Sequence, residues 1–242
     1  RQLGGGDGLA DDADRARDGA GDHQRRPDRP AARRAGDRLL EVGCGWGGMA
    51  IHAARTRGCH VTAITVSREQ LVLAQARVAA AGLAHLVDVR FCDYRDLGDL
   101  GRFDKVVSIE MIEAVGHEFL PGYFAACAEA MLPGGRMALQ AITMPDDRYD
   151  AYRRQVDLMQ TYIFPGSLIP SLGAMRAASA SAGLTWTSAD SHGPSYAPTL
   201  AAWRARFTAQ LPAVRALGFD DAFIRTWILY LSFSEAAFAE RT

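Results

Sequence analysis

Residues 37–48 read "DRLLEVGCGWGG". A short apolar run carries one acid, Glu41, and passes straight into three glycines, Gly43, Gly45 and Gly47, spaced G-x-G-x-G. Apolar residues at this density read as a strand buried on both faces. The following "MAIHAARTRG" (49–58) reads as a helix closed by Gly58. Glycines in such a turn let the backbone take positive φ and approach a ligand closely. The helix start adds N–H groups that no intrahelical carbonyl satisfies. The spacing is not the G-x-G-x-x-G of dinucleotide sites. A tight strand–helix turn without a ligand would use the same residues.

The same rhythm continues downstream. "CHVTAIT" (59–65) is a second buried strand, ending in "ITVS" without the acid that takes a nicotinamide ribose. Ser67 and Gln70 have capping-box spacing and open a helix through Ala81. "LVDVRFCD" (86–93) and "FDKVVSIE" (103–110) are strands three and four. "FLPGYFAACAEAML" (119–132) is a helix stopped by "PGG", and "RMALQAIT" (136–143) is a fifth strand. Strands alternating with helices predict an α/β fold with a doubly wound, mostly parallel sheet. After Met144 a long aromatic, amphipathic stretch predicts a helical insertion at about 144–175, over the carboxyl edge where open α/β sheets bind ligands. A helix at 171–182, a strand at "LTWTSAD" (184–190) and helices at about 198–217 and 220–240 follow.

The bulk composition narrows the function classes. The chain has 242 residues, 48% hydrophobic, enough for one sizeable core. Net charge is −1, so no global field draws it to nucleic acid. No apolar run is long enough for a transmembrane helix. Four cysteines without a C-x-x-C pair point away from a zinc site or a disulfide framework, and no metal is expected. Residues 1–36 contain no Val, Ile, Phe, Tyr or Trp, and alternate Arg and Asp among Gly, Ala and Pro. This composition predicts a disordered or non-native segment ahead of the domain at 37–242.

Two glutamates, Glu110 and Glu113, sit in "SIEMIEAVGH" (108–117), directly after a buried strand. Carboxylates are seldom placed in apolar surroundings without a partner or a purpose. At this point the chain resembles a known family. "LLEVGCGWGG", "TVSREQ", "CDYRDL", "SIEMIEAVGHEFLPGYF" and "QTYIFPGSLIPS" together resemble the cyclopropane-fatty-acyl-phospholipid synthases, which include the mycolic acid cyclopropane synthases. These are class I S-adenosylmethionine (SAM) methyltransferases, and the resemblance covers about residues 37–241.

The resemblance implies a Rossmann-like fold and a cofactor site. Glu41, Gly43, Cys44, Gly45, Trp46 and Gly47 would lie along the methionine part of SAM, Thr65, Val66, Ser67 and Gln70 by the ribose, and Asp93 and Tyr94 near the adenine. It also implies addition of a methylene bridge, or of a methyl group, at the cis double bond of an unsaturated phospholipid acyl chain. Bicarbonate would serve as the base, held by Glu113, Gln140, Ile142 and Tyr196. Glu110 matches a position that tolerates glycine and is read as structural or peripheral. A competing reading of Glu113 is a carboxylate at a helix start, stabilised by the helix dipole. Tyr162, Phe164, Tyr196, Trp203, Phe207 and Tyr230 are candidates for an apolar acyl channel or for steadying a cation. A cytoplasmic enzyme touching the inner membrane face peripherally is expected, and a homodimer is compatible with the pattern.

The chain departs from the family pattern in three places. A Tyr-Ser-Cys element before the glycine turn has no counterpart in residues 1–36; Gln140 stands where histidine is frequent; and Ser234 in "YLSFSEAAF" stands where a cysteine is usual. The last strand is expected to be incomplete and activity impaired, and the glutamine leaves a methyl-branched product open. Two other readings share the scaffold: a small-molecule N- or O-methyltransferase, and a non-catalytic remnant.

Overall fold

The computed structural model describes residues 36–240. The expectation of disorder over 1–36 falls, apart from Gly36, outside the described residues. Five strands form one sheet in the order β3-β2-β1-β4-β5. They are β1 (Arg38–Val42), β2 (His60–Thr65), β3 (Val87–Phe91), β4 (Phe103–Ile109) and β5 (Met131–Gln140). β1 pairs in parallel with β2 and with β4, and β2 in parallel with β3. The order reverses beside β1, which is where open parallel sheets present their ligand crevice.

Helix α1 (Gly48–Arg57) follows the glycine turn and α2 (Arg68–Ala80) follows β2. α1 stops at Gly58, whose φ of +62° suits a residue without a Cβ. Ser67 caps α2 by accepting the Gln70 N–H. The reciprocal half of a capping box is rerouted: the Gln70 side chain accepts the Thr65 hydroxyl proton, and Thr65 Oγ1 accepts the Ser67 N–H. Later come α3 (Leu120–Glu129), α4 (Asp146–Tyr152), α5 (Leu158–Tyr162), α6 (Leu172–Ser181), α7 (Gly193–Ala209), α8 (Leu211–Ala216) and α9 (Asp221–Glu240).

The chain forms two compact units, one of residues 36–108 with Ala130–Ala138, the other of residues 109–129 and 139–240. The first holds the strands β1 to β3 with α1 and α2, around a core of Leu39, Ala53, Cys59, Val61, Val78 and Val107. The second buries Ile112, Tyr123, Phe124, Met175, Leu200 and Ile224. Within it α7 packs along α9 and α3 along α6.

Several sequence expectations move. β5 starts five residues earlier than expected and runs through Pro133-Gly134-Gly135. As the end strand of the sheet it tolerates a residue with no N–H to donate. The expected strand at 184–190 does not form. There the Trp186 indole N–H donates to Ser179 Oγ at 2.7 Å, and Arg176 lies over the ring, so the segment is tied to α6 by side chains. The expected helix at about 198–217 begins at Gly193, with Pro194 in its first turn, and breaks at Gln210 before Pro212. Proline is at home in a first turn and disfavours helix in the residue before it. The helical insertion after β5 is present as α4 and α5.

Candidate functional site

The residues expected to hold a cofactor all fall in the first unit, at the carboxyl ends of β1, β2 and β3. Glu41 and Val42 end β1 in register with Ala63 and Ile64 of β2. The chain then leaves the sheet with both Gly43 N–H and Cys44 N–H donating to the Ile64 carbonyl, and Gly47 N–H donating to Cys44 O. Gly43, Gly45 and Gly47 have φ of +82°, +49° and +84°. At Gly45 a Cβ would meet nothing within 4 Å, so the turn presents bare backbone to open space. At Gly47 a Cβ would lie 3.1 Å from the Ala74 Cβ, so that glycine lets α1 and α2 approach. These two glycines therefore answer to different needs: open backbone at one, packing at the other.

The side chains around the turn divide. Glu41 is 2% exposed and Cys44 is packed in the core. Burial, with the Glu41 charge adding, pushes the Cys44 thiol up to about 11, so it remains a neutral thiol. Trp46 is exposed, and its carbonyl accepts from Arg77. Thr65 is buried and, with Ser67 and Gln70, spends its hydrogen bonds on the start of α2. Val66 is exposed beside them. Asp93 is held by Arg95, whose Nη2 donates to it at 2.7 Å. That hydrogen bond keeps its carboxyl below the usual range. Tyr94 follows, half-buried. A depression of 510 Å³ lies here, lined by Val66, Phe91, Cys92, Asp93, Asp96 and Leu100.

A sulfonium donor such as SAM fits this half. A bare turn allows close approach, the start of α1 offers N–H groups to a carboxylate, and the depression by Val66 and Asp93 offers a wall for a flat ring.

The second unit gathers the other candidates. Ile142 N–H donates to Glu113 Oε1 at 2.7 Å. Glu113 Oε2 is sealed from solvent and accepts no hydrogen bond among the described residues. Burial raises the Glu113 carboxyl above the ordinary range, against the Ile142 hydrogen bond and with the Glu110 charge adding to the rise. The segment is pinned further because Leu168 N–H donates to Glu113 O.

Gln140, at the end of β5, donates from Nε2 to Tyr196 Oη at 2.9 Å and to Glu110 Oε1 at 3.0 Å. The Tyr196 hydroxyl donates to the same Glu110 oxygen. Burial, and then that bond to a carboxylate, raises the phenol of Tyr196. Tyr196 stacks on Phe238 at 4.8 Å, and Tyr230, packed edge-on by Phe164, is raised by burial and by the Glu110 charge.

The structure thus joins Glu113 to Ile142 and Gln140 to Tyr196. The residue that sequence reasoning set aside is Glu110, whose carboxylate is the acceptor on which two of these side chains converge. Its backbone is also unusual: φ is +49°, the one positive value outside glycine among the described residues, held by donation of its N–H to Gln140 O at 2.9 Å. Left-handed backbone in a residue with a Cβ costs about 1–2 kcal/mol. Such strain clusters at functional sites. The sequence signal was there, an acid one residue beyond a buried strand, but nothing in it reports the backbone angle.

Comparison with known proteins places the chain in a family. The family model described as mycolic acid cyclopropane synthetase matches residues 30–242. The chain is 48% identical over 204 residues to the tuberculostearic acid methyltransferase of Mycobacterium tuberculosis, covering 84% of this chain and 47% of that protein. It is 33% identical over 208 residues to the cyclopropane-fatty-acyl-phospholipid synthase of Escherichia coli, covering 85% of this chain and 51% of that one. A mycolic acid cyclopropane synthase solved with SAH and CTAB superposes with a TM-score of 0.77 at 27% identity, covering 85% and 74% of the two chains. This chain spans about half the length of the curated relatives it matches. With the sheet order, the glycine turn and the match over residues 30–242 in agreement, the chain belongs to the mycolic acid cyclopropane synthetase family.

Proposed function

We propose that this chain carries a SAM-dependent carbon methyltransferase activity that adds a one-carbon unit at the cis double bond of an unsaturated phospholipid acyl chain. The observation that carries the reading is the cluster of Glu110, Gln140 and Tyr196, built beside aromatic rings and carboxylates. A methyl group added to an alkene leaves a carbocation, which needs π-faces or carboxylates near it and a base to take a proton. An amine or hydroxyl acceptor generates no such carbon-centred cation. The relatives named as a fatty-acid methyltransferase and a cyclopropane-fatty-acyl-phospholipid synthase support the substrate class.

When bound, the donor supplies an electrophilic methyl group; the protein binds, orients and excludes water. In this reading the turn at Gly43, Gly45 and Gly47 lies along the donor, with Ser67, Gln70 and Asp93 on its nucleoside side. Tyr196 and Gln140 fix the acidic cluster, and Glu113 braces it through Ile142. Bicarbonate would need the donors of Gln140 and Tyr196. Among the described residues no helix is long and apolar enough to cross a membrane, so access to a phospholipid would be by peripheral contact. Mass analysis of lipids from cells expressing the protein tests the reading: a gain of one CH2 on unsaturated chains, abolished by Gly45→Val, is expected, and unmodified lipids would overturn it.

A further inference from the structure

We propose that the Glu110 carboxylate is the built-in general base of this site, occupying the donors that a diffusible anion would otherwise need. The inference rests on the reading above that the chain methylates an alkene.

Three observations carry it. The first is occupancy. Gln140 Nε2 and Tyr196 Oη both donate to Glu110 Oε1. These are side-chain donors that the sequence resemblance assigned to bicarbonate, and a carboxylate already satisfies them. A second anion there would meet two carboxylates, Glu110 and Glu113, and the side chains bonded into the cluster carry no positive charge to offset them.

The second is access. Glu113 cannot serve as the base as it stands. Its Oε1 is tied to Ile142 N–H and its Oε2 is sealed away. Glu110 is exposed, and among the described residues both of its side-chain donors fall on Oε1, so Oε2 is open to meet a proton. Of the two acids, Glu110 is the exposed one. Glu113 is then a positioning residue: its bond to Ile142 braces the chain just beyond Gln140.

The third is backbone. The left-handed φ of Glu110 suits glycine, yet a glutamate stands there with its carboxylate held by two side chains. Glycine would adopt this conformation without the steric cost that the glutamate bears.

The step balances without a further reactant. As the acyl alkene takes the methyl group from the sulfonium donor, its π pair would form the new carbon–carbon bond, the S–CH3 pair would stay on sulfur in the departing neutral thioether, and the neighbouring carbon would become cationic. Glu110 accepts a proton from the added methyl group. The freed C–H pair closes the ring on the cationic carbon, and the protonated Glu110 returns the proton to solvent.

The test uses wild type, Glu110→Gln and Glu110→Gly, with isotope-labelled bicarbonate as the probe. Glycine relieves the strained backbone, so the second variant guards against misfolding. In CO2-free buffer, wild-type turnover on unsaturated phospholipid vesicles should be unchanged. Glu110→Gln should lose about 100-fold or more, the range of general-base catalysis, with SAM affinity by calorimetry unchanged. Glu110→Gly should regain turnover as bicarbonate is added. Independently of lipid chemistry, line broadening of labelled bicarbonate in NMR should appear with Glu110→Gly and not with wild type. Bicarbonate binding to wild type, or full turnover by Glu110→Gln, would overturn the proposal. If wild type modifies no lipid, the function proposed above fails, while the NMR comparison still decides whether Glu110 holds the anion's place.

Discussion

The backbone N–H of Ile142 donates to Glu113 Oε1 at 2.7 Å, joining the segment beyond β5 to an acid 29 residues earlier. The second unit is thereby held at the point where Gln140 enters its polar cluster. Replacing Glu113 by alanine strands that N–H in a half-buried position, at about 1–3 kcal/mol. Glutamine keeps an acceptor in the same place. Thermal unfolding should therefore show Glu113→Ala clearly less stable than Glu113→Gln; equal stability would mean the bond contributes nothing.

The same carboxyl makes stability depend on pH. Burial raises its folded value above the unfolded one. The folded state then binds the proton more tightly, so this group favours folding at low pH. That contribution is lost as pH rises from the ordinary carboxylate range through the raised value. Glu113→Gln removes the titration. The melting temperature of wild type should fall relative to Glu113→Gln as pH increases upward from the ordinary carboxylate range, as scanning calorimetry at a series of pH values can check.

Two glycines of one turn should respond differently to alanine. Gly47→Ala brings a Cβ to 3.1 Å from Ala74 at a φ of +84° and should cost about 2 kcal/mol or more of stability. Gly45→Ala meets open space and pays only for its φ, about 1 kcal/mol. Its methyl group stands where a donor would approach, so SAM affinity should drop roughly tenfold, equivalent to about 1.4 kcal/mol. Calorimetric titration beside thermal melts separates the two effects.

Backbone strain at Glu110 predicts an ordering between two variants that both delete its carboxylate. Glu110→Gly relieves the positive φ, whereas Glu110→Ala retains it. Glycine should be the more stable by about 1 kcal/mol, the reverse of the usual order of these residues within a helix or strand. Chemical denaturation of the two proteins checks this.

The frame of the fold was legible because its signals are local. "RLLEV", "HVTAIT" and "VDVRF" are short apolar runs bounded by turn residues, and Gly58 and Ser67 mark helix ends by their own chemistry. The strand expected at 184–190 failed because Trp186 found a hydrogen-bond partner on α6, a choice made by tertiary packing. The helix expected through 217 divides at Gln210, because a new helix starts there with Pro212 in its first turn, a position where a missing N–H costs nothing. In the candidate site, the meeting of Gln140 with Tyr196 was approached through family resemblance, since 56 residues separate them. The place of Glu110 was hidden because it depends on a backbone angle and on two partners from distant segments, none of which leaves a periodic trace.

The most direct test of the account supplies the full-length protein with methyl-deuterated SAM and unsaturated phospholipid vesicles, and reads the acyl chains by mass spectrometry. A carbon-directed reaction that ends in proton loss from the added methyl group predicts acyl chains that each gain one carbon and have lost one deuteron from it. Label found instead on a headgroup or small-molecule amine, with every deuteron retained, would contradict it.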